Sequence, residues 1–205
     1  VLHEGMALGR YQLLLPVAQG GMGQVWAARA LGHHGFRRLV AIKILRPELA
    51  DAPQARQRFL REARAMALVK HRNLISIYQI SEQPVPFVVM EYIPGETLQQ
   101  RLDRKGAMEV DEVHSIAVQL ADGLSAAHAQ NLIHRDIKPA NILLEPASEP
   151  TAGSAEPDGC SVVRVRLSDF GLARLAADAM ITRSGLIAGT PQYMSPEQAE
   201  GKSTD

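Results

Sequence analysis

HRDIKPANIL, from His134 to Leu143, sets a histidine, an arginine, an aspartate, a lysine and an asparagine within eight positions. Apolar stretches flank it, LIH before and ILL after. Charge so close to candidate core is costly unless it is paired or has work to do. One reading is a solvated turn capped by an asparagine. The other is a site that holds Asp136, Lys138 and Asn141 for chemistry. The rest of the chain has to decide between them.

With 205 residues, the chain suits one large domain or two small lobes. A chain of this size buries roughly 70% of its unfolded surface. Hydrophobic residues make up 46% and charged residues 21%, ordinary for a globular protein. Lys+Arg and Asp+Glu both number 22, so the formal net charge is zero. Such a balance gives no field to draw the chain to nucleic acid or to an anionic membrane. The single Cys160 excludes an internal disulfide and any multi-cysteine metal site, and fits a reducing compartment. No apolar run approaches the ~18 residues of a spanning helix, and no signal peptide is recognisable. The chain opens at Val1 and stops at GKSTD, so a fragment is expected.

The periodicity places strands first and helices later. YQLLLPV (Tyr11 to Val17), QVWAARA (Gln24 to Ala30) and RLVAIKIL (Arg38 to Leu45) are short, apolar or alternating, and read as strands. Pro53 to Lys70 reads as a helix, with Phe59, Ala63, Met66 and Ala67 at helical spacing and Pro53 in the first turn. LISIYQI and PFVVMEY are two more strands, with Pro84 and Pro86 in the turn. GETLQQRLDRKG predicts a short polar helix closed by Gly106. A longer helix follows, capped by Asp111, with Ile116, Leu120, Leu124 and Ala127 as its apolar stripe. The stretch EPASEPTAGSAEPDG, Glu145 to Gly159, has almost nothing to bury and reads as a surface loop.

Gly20, Gly21 and Gly23 join the first two strands in VAQGGMGQVW. They predict a tight turn whose backbone N–H groups could approach phosphate oxygens. A glycine-rich hairpin with no ligand is the plainer reading. The turn is not a P-loop, and GKS at Gly201 to Ser203 is not the end of one, because Pro196 stands where the first glycine would be. Lys43 lies between Ile42 and Ile44 in the third strand. It is either a lysine on an exposed face or an ammonium fixed for phosphate contact. The second role needs a carboxylate to orient it. Glu62 is the candidate, since Met66 lies one helical turn further on the same face. A plain solvated Arg61–Glu62 face is the competing reading.

Taken in order, AQGGMGQV, VAIK, REA with Glu62, MEY, HRDIKPAN, DFG and GTPQYMSPE resemble the motifs of eukaryotic-like serine/threonine protein kinases, most like those of bacteria. The seven stretches run from about Tyr11 to Lys202. The resemblance implies an α+β, two-lobe fold. An N-lobe of about residues 11–93 would hold an antiparallel sheet and one helix. A mostly helical C-lobe would begin at about 94 and run to 205, with an insertion at 145–159. The family continues into further helices, so an incomplete kinase domain is expected, with apolar surface exposed beneath the catalytic loop.

The resemblance also assigns roles. Asp136 would orient or accept the proton of the substrate hydroxyl, Lys138 would contact the transferring phosphate, and Lys43 with Glu62 would hold the other phosphates. Asn141 and Asp169 would ligate Mg2+ or Mn2+. ATP would lie among Val17, Gly20, Gly21, Gly23, Val25, Ala41, Lys43, Met90, Glu91, Ile93 and Leu143. Within that set, Val25, Ala41 and Leu143 would sandwich adenine, Glu91 and Ile93 would offer backbone hydrogen bonds, and Met90 would guard the pocket behind. His134 is expected as a packed core histidine beside Phe170, in a column with Met66 and Leu74. Thr182 and Ser184 are the expected phosphorylation sites of the activation segment, with Arg135 receiving the phosphate. These residue types suit phosphoryl transfer, where catalysis is mostly positioning and charge neutralisation.

Three features depart from the family pattern. Ala18 replaces the first glycine of the phosphate loop; it either strains a left-handed position by about 1–2 kcal/mol or merely stiffens the loop. Ser195-Pro196-Glu197 stands for the usual Ala-Pro-Glu. Asn141 and Asp169 lie 28 positions apart, which the 145–159 insertion explains. Lengthening a loop costs little, roughly 0.6 kcal/mol per doubling.

The expected function is ATP-dependent transfer of phosphate to Ser and Thr of protein substrates, with autophosphorylation through a kinase–kinase dimer. Neither nucleic acid nor a membrane segment is expected, and the expected location is cytoplasmic. A small-molecule kinase of the same fold is a rival, opposed by Lys138 and by the long segment suited to a peptide. A non-catalytic scaffold is another, opposed by the presence of Lys43, Asp136 and Asp169 together.

Overall fold

The computed structural model describes residues 2–32, 37–146, 163–170 and 191–200. Strands β1 (Ala7–Leu8), β2 (Tyr11–Gln19), β3 (Gly23–Leu31) and β4 (Arg37–Leu45) are followed by α1 (Pro47–Ala50) and α2 (Pro53–Leu68). Strands β5 (Ile77–Ser81) and β6 (Phe87–Glu91) complete an antiparallel six-stranded sheet in the order β1-β2-β3-β4-β6-β5. Alternation along the strands gives the sheet two apolar faces. Leu13, Trp26, Val40, Ile42 and Val89 share one core. Leu45 and Val88 face the other way and meet Ala55, Phe59, Leu60 and Ala63 of α2. Phe59 is fully buried there, and such burial contributes about 1.5–3 kcal/mol.

The second part is built on α3 (Leu98–Lys105), α4 (Val110–His128) and a three-stranded sheet, β7 (Glu96–Thr97), β8 (Ile142–Glu145) and β9 (Arg164–Leu167). A short α5 (Pro196–Ala199) follows. Thr97 caps α3 in a reciprocal box with Gln100, and Gly106 ends the helix at φ +78°. One apolar cluster joins Met66 and Leu74 to Ile116 and Ala127 of α4 and to Val165, Leu167 and Phe170. It binds the two parts together.

Local patterns missed some details. The cap of α4 is Glu109, not Asp111: Glu109 is extended and the helix begins at Val110, leaving Asp111 and Glu112 in the first turn. Their charge still suits the helix N-terminus. The strand expected from Leu74 starts at Ile77, because Leu74 instead bridges to Leu167, and Ile75 N–H donates to Leu167 O at 3.1 Å. Helix α2 stops at Leu68, since Val69 is extended. Glu145 pairs with Arg164 at the open end of the β8–β9 ladder, so the insertion joins two paired strands. Residues 147–162 themselves lie outside the described residues, as do Thr182 and Ser184.

Candidate active site

The HRDIKPAN segment leaves α4 and folds back on itself. Pro139–Asn141 form a single 3-10 turn, and β8 starts at the next residue. The turn brings the amide of Asn141 under Asp136: its Nδ2 donates to Asp136 O and to Oδ2, both at 2.8 Å. Lys138 Nζ lies 2.8 Å from Asp136 Oδ2 and 3.1 Å from Oδ1. The carboxylate of Asp136 is thus held from both sides. Both donor hydrogens of the Asn141 amide face Asp136, so its Oδ1 is the atom left to offer a cation.

His134 supports this turn from beneath. Its Nδ1 accepts from Asp136 N–H at 3.2 Å, and its Nε2 is 2.8 Å from Ser168 O. Those partners fix the tautomer with the proton on Nε2. The ring is 4.4 Å from that of Phe170 and is almost fully buried. Desolvation pushes its pKa below the ordinary histidine value, outweighing the Ser168 carbonyl, so the ring stays neutral. Ser168 also ties the two strands together, its N–H and Oγ donating to Asn141 O at 2.9 and 3.0 Å.

Lys43 reaches across from β4. It is 7% exposed, and its Nζ pairs with Asp169 Oδ1 at 2.7 Å. Asp169 has φ +62° and Arg135 φ +64°, both in the left-handed region that non-glycine residues avoid. Each such position costs on the order of 1–3 kcal/mol and persists where surroundings enforce it. Here the enforcing bonds are Ser168 on one side, and on the other Gln198 of α5, whose Nε2 donates to Arg135 O at 2.8 Å.

The structure does not bring Glu62 to Lys43. Glu62 Oε1 accepts from Arg58 Nε at 3.2 Å, one helical turn back, and its Oε2 is buried without a partner. Burial raises its pKa, against the lowering effect of Arg58 and, more weakly, Arg61 and Arg135. Lys43 meets the nearer carboxylate of Asp169, and Glu62 falls to its i−4 neighbour. Arg58 stands at a spacing that sequence can flag; Ser168 and Gln198 carry no local signal.

The glycine loop joins β2 to β3. Gly23 is required by packing: a Cβ there would lie 2.1 Å from Ile44 O, on the neighbouring strand. Gly20 is exposed, with nothing within 4 Å of a Cβ. Ala18 pairs with Val25 beside a register shift and does not take a positive φ, so the strained alternative does not arise. Of the other residues expected around the nucleotide, Val17 is half exposed, Ala41 and Ile93 are buried, and Val25 and Leu143 are partly buried. Glu91 N–H already donates to Ser76 O at 2.9 Å, leaving its carbonyl as the group it could offer a ligand. Met90 lines a small cavity of about 10 Å³ with Lys43, Met66 and Asp169.

A family model described as the protein kinase domain matches residues 11–205. The serine/threonine-protein kinases PknA of Corynebacterium glutamicum are 38% identical over 198 residues, covering 94% of this chain and 38% of theirs. PknA of Mycobacterium tuberculosis is 36% identical over 201 residues, covering 94% of this chain and 42% of its own. The chain therefore spans about two fifths of the length of these relatives. Among solved structures, the PknI kinase domain of Mycobacterium tuberculosis superposes with a TM-score of 0.70 at 28% identity, covering all of this chain and 71% of that one.

Proposed function

This chain belongs to the protein kinase family, and from that premise we propose that it transfers the γ-phosphate of ATP to Ser and Thr hydroxyls of proteins. The observation that carries the reading is the bonded cluster of Asp136, Lys138 and Asn141, together with Lys43, which reaches from β4 in the first part of the fold to pair with Asp169 in the second. A substrate hydroxyl gives its proton to Asp136. Lys138 offsets charge on the phosphoryl oxygens beside it. Residues about 11–93 form the lobe that grips nucleotide, and about 94–205 the lobe that carries the catalytic loop.

ATP and a divalent metal are what protein kinases use in general. The donor set here fits a small hard cation: one carboxylate, Asp169, and one amide oxygen, Asn141 Oδ1. Asp169 and Asn141 would hold Mg2+ or Mn2+ there, which would supply neutralisation of phosphate charge. Val25, Ala41 and Leu143 would sandwich adenine, with Val17 nearby, the backbone of Glu91 and Ile93 offering hydrogen bonds and Met90 guarding the pocket behind. The turn of Gly20, Gly21 and Gly23 covers the phosphates. With nucleotide and metal bound, Lys43 would contact the phosphates, Asp169 would be free to hold the metal, and Glu62 would be the carboxylate to orient Lys43 in place of its bond to Arg58. The buried, unpartnered Oε2 of Glu62 supports that exchange.

One copy of the chain would transfer the γ-phosphate of its ATP to Thr182 or Ser184 of a second copy, releasing ADP, and the phosphate so placed would pair with Arg135. Protein substrates follow from the kinase family in general; a cytoplasmic location is part of the proposal. Among the described residues no helix is long and apolar enough to cross a membrane. The test is mass spectrometry of a mixed protein substrate after incubation with ATP and Mg2+. Phosphoserine and phosphothreonine are expected. Predominant phosphotyrosine, or transfer to small molecules and not to protein, overturns the reading.

A further inference from the structure

A second cavity of about 830 Å³ lies on the other side of the six-stranded sheet. Val40, Val89 and Glu91 line it, and along β4 and β6 these alternate with Lys43, Val88 and Met90, which face the active site. The cavity is strongly cationic. Arg10, Arg38, Lys70, Arg72 and Arg166 all line it, and Glu91 is its one carboxylate among the described residues. That carboxylate is already engaged by Arg166 Nη2 at 3.1 Å.

Two of the arginines are held in place by neutral groups. Arg10 donates from Nε and Nη2 to the Tyr11 hydroxyl, both at 3.1 Å, and from Nη2 to Gln79 Oε1 at 3.3 Å. The Arg38 guanidinium stacks 4.1 Å over the Tyr78 ring and donates to the Tyr78 hydroxyl. These contacts order the guanidinium groups without cancelling their charge. Arg10, Arg38, Lys70 and Arg72 form no ion pair among the described residues. Cations that cost entropy to order and then go uncompensated are the arrangement by which proteins take up an anion, and the planar arginine fork suits a phosphate in particular.

We propose that this rear cavity binds a phosphate monoester through Arg10 and Arg38, with Lys70 and Arg72 completing its charge balance. The monoester is carried either on a phosphorylated Ser or Thr side chain of a protein or by a free small molecule. The site stands apart from the proposed catalytic reaction, and its test does not depend on turnover.

The experiment is fluorescence anisotropy on the full-length protein, with a non-hydrolysable ATP analogue saturating the active site. The probe is a labelled peptide bearing one phosphothreonine, beside its unphosphorylated twin. The phosphopeptide is expected to bind about tenfold or more tightly than the twin, and to weaken as salt rises. The double variant Arg10→Gln, Arg38→Gln is expected to lose about a hundredfold of that affinity, since each hydrogen bond to a charged group is worth about tenfold or more. If that variant fails to melt cooperatively, Lys70→Ala with Arg72→Ala, both on exposed residues, is read in its place, with a loss of about tenfold or more expected. Free phosphothreonine separates the sources: displacement of the peptide at equal concentration supports the site and assigns it to small monoesters, whereas no displacement assigns it to a protein partner. Equal binding of the twin peptides, or unchanged affinity in the folded variants, overturns the proposal. Phosphate transfer is measured in parallel, so loss of transfer in the wild type strikes the proposed activity and leaves the binding result intact.

Discussion

Gly20 and Gly23 are three positions apart and respond differently to a methyl group. Gly23→Ala sets a Cβ 2.1 Å from a backbone oxygen of β4, which cannot move without its strand. Urea denaturation should show a loss of about 1–3 kcal/mol, the usual range for overpacking. Gly20→Ala meets open space and should stay within about 0.5 kcal/mol. Equal losses would contradict the loop geometry. His134 gives a second test. Its folded pKa is lowered from an ordinary value of 6.5, so the unfolded chain binds the extra proton first. The stability contributed by the neutral ring is full above that value and is lost as pH falls toward the lowered one. His134→Phe should be less stable overall but should flatten the fall as pH drops below about 6.5, by up to about 1.4 kcal/mol per unit. An unchanged slope would mean that folding does not shift the titration of His134. At this scale sequence was informative where partners are close in the chain. Asp136, Lys138 and Asn141 meet across a few residues, and their convergence follows from the turn at Pro139. The partner of Lys43 was not legible, because Asp169 and Glu62 compete for it through the placement of whole elements.

Helix α2 and the first strands were legible as elements because their apolar residues follow clean periods. The two-residue strands β1 and β7 were not, being too short to carry a period. The stretch after α2 was misread for another reason. Asn73 is 1% exposed, and its Nδ2 donates to Gln119 Oε1 at 3.1 Å and to Val165 O at 2.9 Å. Gln119 in turn accepts from Val165 N–H at 3.1 Å and donates to Val163 O at 3.0 Å. The loop is thereby tied to α4 and β9 by tertiary bonds that no local propensity encodes. Asn73→Ala removes two of these bonds and leaves a buried carbonyl without a side-chain donor. A loss of about 1–3 kcal/mol is expected in denaturant titration. Gln119→Ala should not add its full single cost in the double variant, since the two share partners. Strict additivity would show that the network is not cooperative.

For the molecule as a whole, the order of motifs along the chain carried the fold more securely than any one of them, and the matched family model agrees over residues 11–205. What the order did not reveal is the resting arrangement of charges, with Asp169 on Lys43 and Glu62 on Arg58. Both pairs must exchange for nucleotide and metal to be held as proposed, so the account predicts an active site that is assembled by its ligands. The most direct measurement is transfer of labelled phosphate from ATP with Mg2+ to protein, comparing the full-length wild type with Asp136→Asn and Asp169→Asn. Transfer by the wild type, with losses of about a hundredfold or more in both variants at unchanged melting behaviour, is the predicted result, since a positioned acid–base group such as Asp136 and a charge-stabilising metal ligand such as Asp169 are each worth about that much. Near-normal transfer by either folded variant would contradict the assignment of these two carboxylates and, with it, the proposed mechanism.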